Sequence, residues 1–265
     1  NLYFWISGTN TISSCPIGNC ASPKVLVSAA DMVSLFVDDS GIYWSTRLDT
    51  SIFKCPLTGC DAPERTVAGG VNAFNLASDE TRLYYQNATP NFTMYNIESV
   101  PKEGSAPPTT IVSGLKRPSA MRLTGGFVYW STWIAKGEIA RCPSSGCVNG
   151  QPEILAKDQN FPINVEADGD SVFWVNENAG TAANSMTPAS LHGCTIGSCP
   201  SSAALLDYAQ GRATGINVNS AGFPVQNLVA GKDAVYYVAD LRQTVTDASI
   251  IPDCSIRRLL RTPGN

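Results

Sequence analysis

Eight of the nine cysteines fall into four hexapeptides of one spacing, Cys-x-x-x-x-Cys. They are CPIGNC (Cys15, Cys20), CPLTGC (Cys55, Cys60), CPSSGC (Cys142, Cys147) and CTIGSC (Cys194, Cys199), and Cys254 stands alone. Paired thiols at this spacing have three uses: a disulfide, a share in a zinc site, or redox exchange. Redox pairs favour Cys-x-x-Cys. Zinc sites space their thiolates more tightly and often recruit histidine, and the chain has a single histidine. Local disulfides are therefore the expectation, with metal and redox as the alternatives. Closing so short a loop removes roughly 2 kcal/mol of denatured-state freedom in the chain-entropy model. One stretch serves as an internal control: VPKEGS, at 100–105, keeps the Pro and Gly of the motif and loses both cysteines together. Loss as a pair is what a local cross-link predicts.

Other chemistry is thin. His192 is the only histidine and immediately precedes a Gly-Cys, so it is expected at a strand end on the surface, away from any triad. No Gly-x-Ser-x-Gly elbow, P-loop or EF-hand loop occurs, and no catalytic residue is assigned. Carboxylates are the remaining route to an enzyme. Asp31, Asp49, Asp158, Glu177 and Asp240 would have to converge as an acid/base pair or around calcium, the one cofactor such a set implies. Otherwise they are solvated loop charges.

The elements that must position these residues are strands. Aromatic doublets recur about every forty residues, with Trp5, Trp44, Tyr85, Trp130, Trp174 and Tyr237 closing them, and the last interval is enlarged. Each repeat runs in one order: an apolar stretch, a polar turn (DDSG, SDET, TGG, DGD), the aromatic strand, a short loop, a strand entering the hexapeptide and a strand leaving it. Short strands with turn residues every eight to twelve positions read as antiparallel β-structure, and four strands per repeat is the count of a propeller blade. The expected fold is all-β: one domain over 1–265, a six-bladed β-propeller of antiparallel blades with hairpin disulfides. The N- and C-terminal strands are expected to close the ring, with 259–261 pairing beside 3–5. The alternative is that the tail completes the sixth repeat and leaves the first with three strands.

At the aromatic strand the chain resembles the YWTD-type six-bladed propellers, through Tyr43-Trp44-Ser45-Thr46, Tyr129-Trp130-Ser131-Thr132, Phe173-Trp174-Val175-Asn176 and Tyr84-Tyr85-Gln86-Asn87. The Asp at the fourth position of that motif is absent from all four. Joined with CPxxGC, the pattern is similar to cysteine-bearing propeller repeats of secreted myxobacterial proteins. The resemblance covers nearly the whole chain and implies a fold and an extracellular bacterial setting. It does not specify an activity.

In such a blade the hexapeptides and the polar turns share one face, and the loops after the second and fourth strands share the other. The second face carries two inserts, 176–189 and 208–225, rich in Gly and Asn, as befits a recognition wall. The candidate ligand-binding residues there are Arg47, Asp49, Asn72, Arg117, Trp133, Lys136, Asn160, Glu177, Asp240 and Arg242. Trp133 lies beyond the core aromatics, where it would either stack on a ligand or cap the neighbouring blade. The net charge of −4 is the wrong sign for a nucleic-acid surface, and no apolar run reaches the length of a membrane span. Regular cysteine pairs belong to oxidising compartments, and the chain is read as a mature secreted or cell-surface sequence. A binding module for a glycan, peptide or protein is the expected function. A metal-assisted propeller hydrolase or lyase acting through the carboxylates is the alternative.

Overall fold

A computed structural model describes residues 1–177 and 190–199 in full, together with the backbone of strands within 204–260. The chain divides into two compact units, Asn1–Gly114 and Leu115–Asn265. The first holds three sheets: β1 (Leu2–Ile6), β2 (Thr11–Cys15) and β3 (Lys24–Ser28); β4 (Met32–Asp38), β5 (Gly41–Thr46), β6 (Ile52–Cys55) and β7 (Glu64–Val67); β8 (Asn72–Ser78), β9 (Arg82–Ala88), β10 (Tyr95–Pro101) and β11 (Thr109–Leu115). The second holds β12 (Pro118–Thr124), β13 (Phe127–Thr132), β14 (Gly137–Pro143) and β15 (Glu153–Gln159); β16 (Pro162–Asp168), β17 (Ser171–Asn176), β18 (Ser190–Thr195) and β19 (Ala204–Tyr208); β20 (Leu228–Ala230), β21 (Ala234–Asp240) and β22 (Cys254–Leu260). Every sheet is a meander in chain order, and each described pairing is antiparallel.

The aromatic doublets explain the stacking. Successive residues of a strand point to opposite faces, so a Tyr-Trp pair buried at both positions needs cover on both sides of its sheet. Tyr43 and Trp44 are 0% and 1% exposed, and every residue of β5 is buried. Trp44 packs toward the first sheet, with Ile12, Leu26 and Ala29. Tyr43 packs toward the third, with Leu76, Leu83 and Tyr85. In the second unit Trp174 and Val165 join Tyr129, Ile139 and Leu155 of the preceding sheet. Polar links fix the stack. Trp5 Nε1 donates to the Ala29 carbonyl at 3.0 Å, Ser45 Oγ to the Ala73 carbonyl at 2.8 Å, and Ser119 Oγ to the Pro162 carbonyl at 2.7 Å.

All four hexapeptides form hairpin disulfides between the last two strands of their sheets, with Cα–Cα distances of 4.8–5.8 Å. At the second sheet the hairpin also docks sideways. Cys60 N donates to the Leu26 carbonyl at 3.0 Å, and a Cβ on Gly59 (φ +98°) would lie 2.6 Å from that oxygen, so glycine is required there. The cysteine-free VPKEGS hairpin of the third sheet replaces the cross-link with an ion pair. Lys102, 5% exposed, reaches Asp38 of the second sheet at 2.7 Å. Burial alone would raise the Asp38 carboxyl, but hydrogen bonds from Lys102, Ser40 and Ser78 outweigh it and hold the group at about 2.

One expectation is corrected. The tail strand β22 pairs with β21, Leu259 opposite Val235 and Leu260 opposite Ala234, while β1 is the edge of a three-stranded sheet next to β2. The pairing of 259–261 beside 3–5 is thus replaced by the arrangement in which the tail completes the sixth sheet. A strand close in sequence costs less loop-closure entropy than one at the far end of the chain. Cys254 lies on this strand, opposite Asp240.

Candidate functional site

A backbone clasp recurs at the end of the sheets opposite the hexapeptides. The residue following the second strand donates its N–H to the carbonyl of the residue just ahead of the inner strand: Arg47 to Asp31 at 3.1 Å, Trp133 to Arg117 at 2.9 Å and Glu177 to Phe161 at 3.0 Å. The three acceptors share a left-handed backbone, with φ of +51°, +45° and +52°. Non-glycine residues adopt it at a cost of about 1–2 kcal/mol, which the clasp helps to offset. The backbone is held constant while the side chains differ at every copy. Asp, Arg and Phe stand at one position, and Arg, Trp and Glu at the other.

Of the ten candidate ligand residues, three meet in the second unit. The Arg117 guanidinium lies 4.4 Å from the Trp133 ring centre, and Trp133 Nε1 donates to Glu177 Oε2 at 2.7 Å. Phe161, which sequence reasoning missed, packs edge-on to Trp133 at 5.7 Å. Trp133 is thereby half-buried and held by the next sheet. It caps its neighbour instead of standing free.

Asp49 lies in the first unit, at a cleft of about 280 Å³ on the face of the second sheet that looks toward the first, and Arg47 is not part of its lining. Ala29, Ala30, Leu48, Phe53 and Pro63 give it apolar walls, Trp44 lies deep, and Asp31, Thr46 and Asp49 add polar groups. Thr46 is 6% exposed, and its hydroxyl has no hydrogen-bond partner. Such an orphan is uncommon in a folded interior. Phe53 stacks on Trp44, with centroids 5.5 Å apart and planes 19° apart. Arg65 lies 5.5 Å from the outer ring and pairs with Asp49 at 2.7 Å. Leu48 is 79% exposed at the lip.

The fifth sheet carries the same frame with a different filling. Trp174 stands where Trp44 does, Asn176 where Thr46 does, and His192 where Phe53 does, as the strand registers show. His192 stacks on Trp174 at 5.8 Å and 13°. Here, however, the side chain of Gln159 enters the corner. Its Oε1 accepts from Trp174 Nε1 at 2.8 Å and from Asn176 Nδ2 at 3.0 Å. Gln159 is the third residue ahead of its inner strand, and the residue so placed before β4 is Ala29. The expectation of a surface strand-end position for His192 is corrected as well. It is partly buried against Trp174, bonds Ser190 through Nε2 at 2.8 Å, and burial lowers its pKa. Comparison of the third strands, Phe53 with His192, was the available signal for this.

The remaining candidates are dispersed. Asn72 Nδ2 donates to the Ala88 carbonyl at 3.3 Å, within the third sheet. Lys136 is exposed and Asn160 half-buried, and no described contact draws either to the Trp133 corner. Arg242, the side chain of Asp240 and most of both inserts lie outside the described residues. Asp31 and Asp49 share one cleft, Glu177 serves Trp133, and Asp158 is an exposed residue of β15. Among the described residues no group of three or more His, Cys, Asp or Glu side chains gathers, and no helix is long and apolar enough to cross a membrane.

No protein-family model matches the chain, and no curated protein matches it in sequence. Solved structures do, through their β-propellers. A chain of a nidogen/laminin complex is 16% identical, covering 87% of this chain and 82% of its own, with a TM-score of 0.59. Streptogramin B lyase is 13% identical, covering 89% and 71%, at 0.58. XC5397 from Xanthomonas campestris, a gluconolactonase, is 10% identical, covering 96% and 80%, at 0.54. The likeness is one of fold. It places this all-β chain of antiparallel meanders among β-propellers, a class that holds protein-binding members and enzymes alike.

Proposed function

We propose that residues 1–265 form one six-bladed β-propeller, stapled by disulfides and working outside the cytoplasm, that binds a glycan, peptide or protein on the face opposite its hairpins. The observation that carries this reading is the cleft at Trp44 and Thr46. It is preformed, apolar-walled and rimmed by Asp31 and Asp49, and it contains a buried hydroxyl without a partner. Ligand sites are concave, mostly apolar and furnished with a few placed polar groups. The clasps add a second support, since they keep one backbone geometry while varying its side chains. The hairpin face does the reverse and keeps the Cys-x-x-x-x-Cys staple in four copies. Four disulfides accord with an oxidising compartment. The nidogen/laminin likeness supports a binding role only through the fold.

The test is to screen the purified chain against glycan and peptide arrays while measuring its calcium content. The expected result is a ligand whose binding is lost in Leu48→Asp and kept in Ile17→Asp on the hairpin face. Stoichiometric calcium with no array signal would overturn the reading in favour of carboxylate-based catalysis.

A further inference from the structure

The filled corner of the fifth sheet shows what the open corner of the second accepts. Both place a tryptophan and a hydrogen-bonding side chain at the same two strand positions, with an aromatic ring stacked on the tryptophan. In the fifth sheet the guest is a carboxamide from the chain itself, its oxygen accepting from Trp174 Nε1 and Asn176 Nδ2. In the second sheet Ala29 stands in the place of Gln159, no such arm exists, and the Thr46 hydroxyl is left without a partner. We infer that the cleft binds the acetamido group of a 2-acetamido sugar. This rests on the binding reading above and names its ligand class.

The chemistry matches group by group. The acetamido oxygen takes the place of Gln159 Oε1 and accepts from Trp44 Nε1 and Thr46 Oγ1. Its methyl lies against Ala29 and Phe53, which line the cleft. The pyranose then rests at the rim, with C–H bonds toward Leu48 and Pro63 and hydroxyls donating to Asp31 and Asp49. At about 280 Å³ the cleft is at the small end of ligand sites, which run from about 300 to 1,000 Å³. That size suits one monosaccharide. A glutamine side chain from a peptide would satisfy the deep end but bring no hydroxyl donors to Asp31 or to the Asp49 oxygen that Arg65 leaves open, so the sugar is the better occupant.

Titration calorimetry of the full chain tests this with N-acetylglucosamine, glucose and a short glutamine-bearing peptide. The expected result is that N-acetylglucosamine binds at least tenfold more tightly than glucose or the peptide. Ala29→Gln, which supplies the missing arm, and Thr46→Val, which removes the hydroxyl, should each weaken it tenfold or more. Thr46→Val is close to isosteric and guards against a folding failure of Ala29→Gln. Equal binding of glucose, preference for the peptide, no binding of N-acetylglucosamine, or indifference to both variants overturns the inference. If N-acetylglucosamine fails while an array ligand is blocked by Ala29→Gln, the sugar class falls and the binding site stands. If the array ligand ignores Ala29→Gln and Leu48→Asp, both readings fall.

Discussion

The corners beside Trp44 and Trp174 share a frame and differ by one arm. Each sets a tryptophan in the second strand, an aromatic ring stacked on it from the third, and a clasp that turns the chain into the sheet. Gln159 closes the fifth-sheet corner with two hydrogen bonds, whereas Ala29 leaves the second-sheet corner as a cleft. A repeat fold can thus turn a packed corner into an open one by shortening one side chain. The difference also teaches that one structural frame can be either filled from within the chain or left as a cleft.

The largest expected effect comes from emptying the filled corner. Gln159→Ala leaves Trp174 Nε1 and Asn176 Nδ2 without their shared acceptor and opens a void beside a fully buried indole. Lost hydrogen bonds and cavity together should cost about 2–4 kcal/mol, read as a lower urea midpoint at unchanged m-value. The matching Ala29→Gly should change stability by about 1 kcal/mol or less. Equal losses at the two positions would break the comparison, because the second corner would then depend on its small residue as strongly as the fifth depends on its amide.

Much of the fold was legible in the sequence and the arm was not. The hexapeptides and aromatic doublets announce themselves because a hairpin staple and a sheet covered on both faces each demand particular residue types at fixed spacing. Arg117, Trp133 and Glu177 were placed on the correct end of their sheets for the same reason. What they do there was hidden, since Phe161 sits in a link with no periodicity to mark it. Ala29 lies in such a link too and Gln159 ends β15 beside one, and at both the consequence appears only across the gap to the next sheet. The tail was misread because two edges offer β22 equivalent hydrogen bonding, and only chain proximity decides between them.

A smaller effect separates the two stacked rings. Burial depresses the pKa of His192, so the unfolded chain takes up its proton first as pH falls. Stability from the neutral ring is fully present above the ordinary value of about 6.5 and declines as pH drops through it toward the lowered folded value. Phe53, at the same place, does not titrate. His192→Phe should therefore flatten the stability profile between pH 7 and 5. Denaturation midpoints at the two pH values measure this. An unchanged slope in the variant would show that the pH dependence arises elsewhere than at His192, and not at the Asp38 carboxyl, whose contribution is present above its ordinary value near 3.8 and fades only as pH falls toward about 2.

The smallest effect carries the clearest sign. Thr46 and Asn176 occupy one structural position, yet Asn176 Nδ2 is bonded to Gln159 while the Thr46 hydroxyl has no partner. Replacing a bonded buried group loses its hydrogen bond, whereas replacing an orphaned one removes a desolvation penalty. Asn176→Leu loses the Nδ2 bond but also removes an Oδ1 that has no partner, so it should destabilise by about 0.5 kcal/mol or less, and Thr46→Val should stabilise the ligand-free chain by about 0.5 kcal/mol. Thermal melts without added ligand read both changes. A stabilising substitution that also weakens a ligand is what a site kept for binding requires, since the hydroxyl then costs folding energy that only its guest returns. A Thr46→Val variant less stable than the parent would mean that the hydroxyl is satisfied within the fold, and the second corner would then be no more open than the fifth.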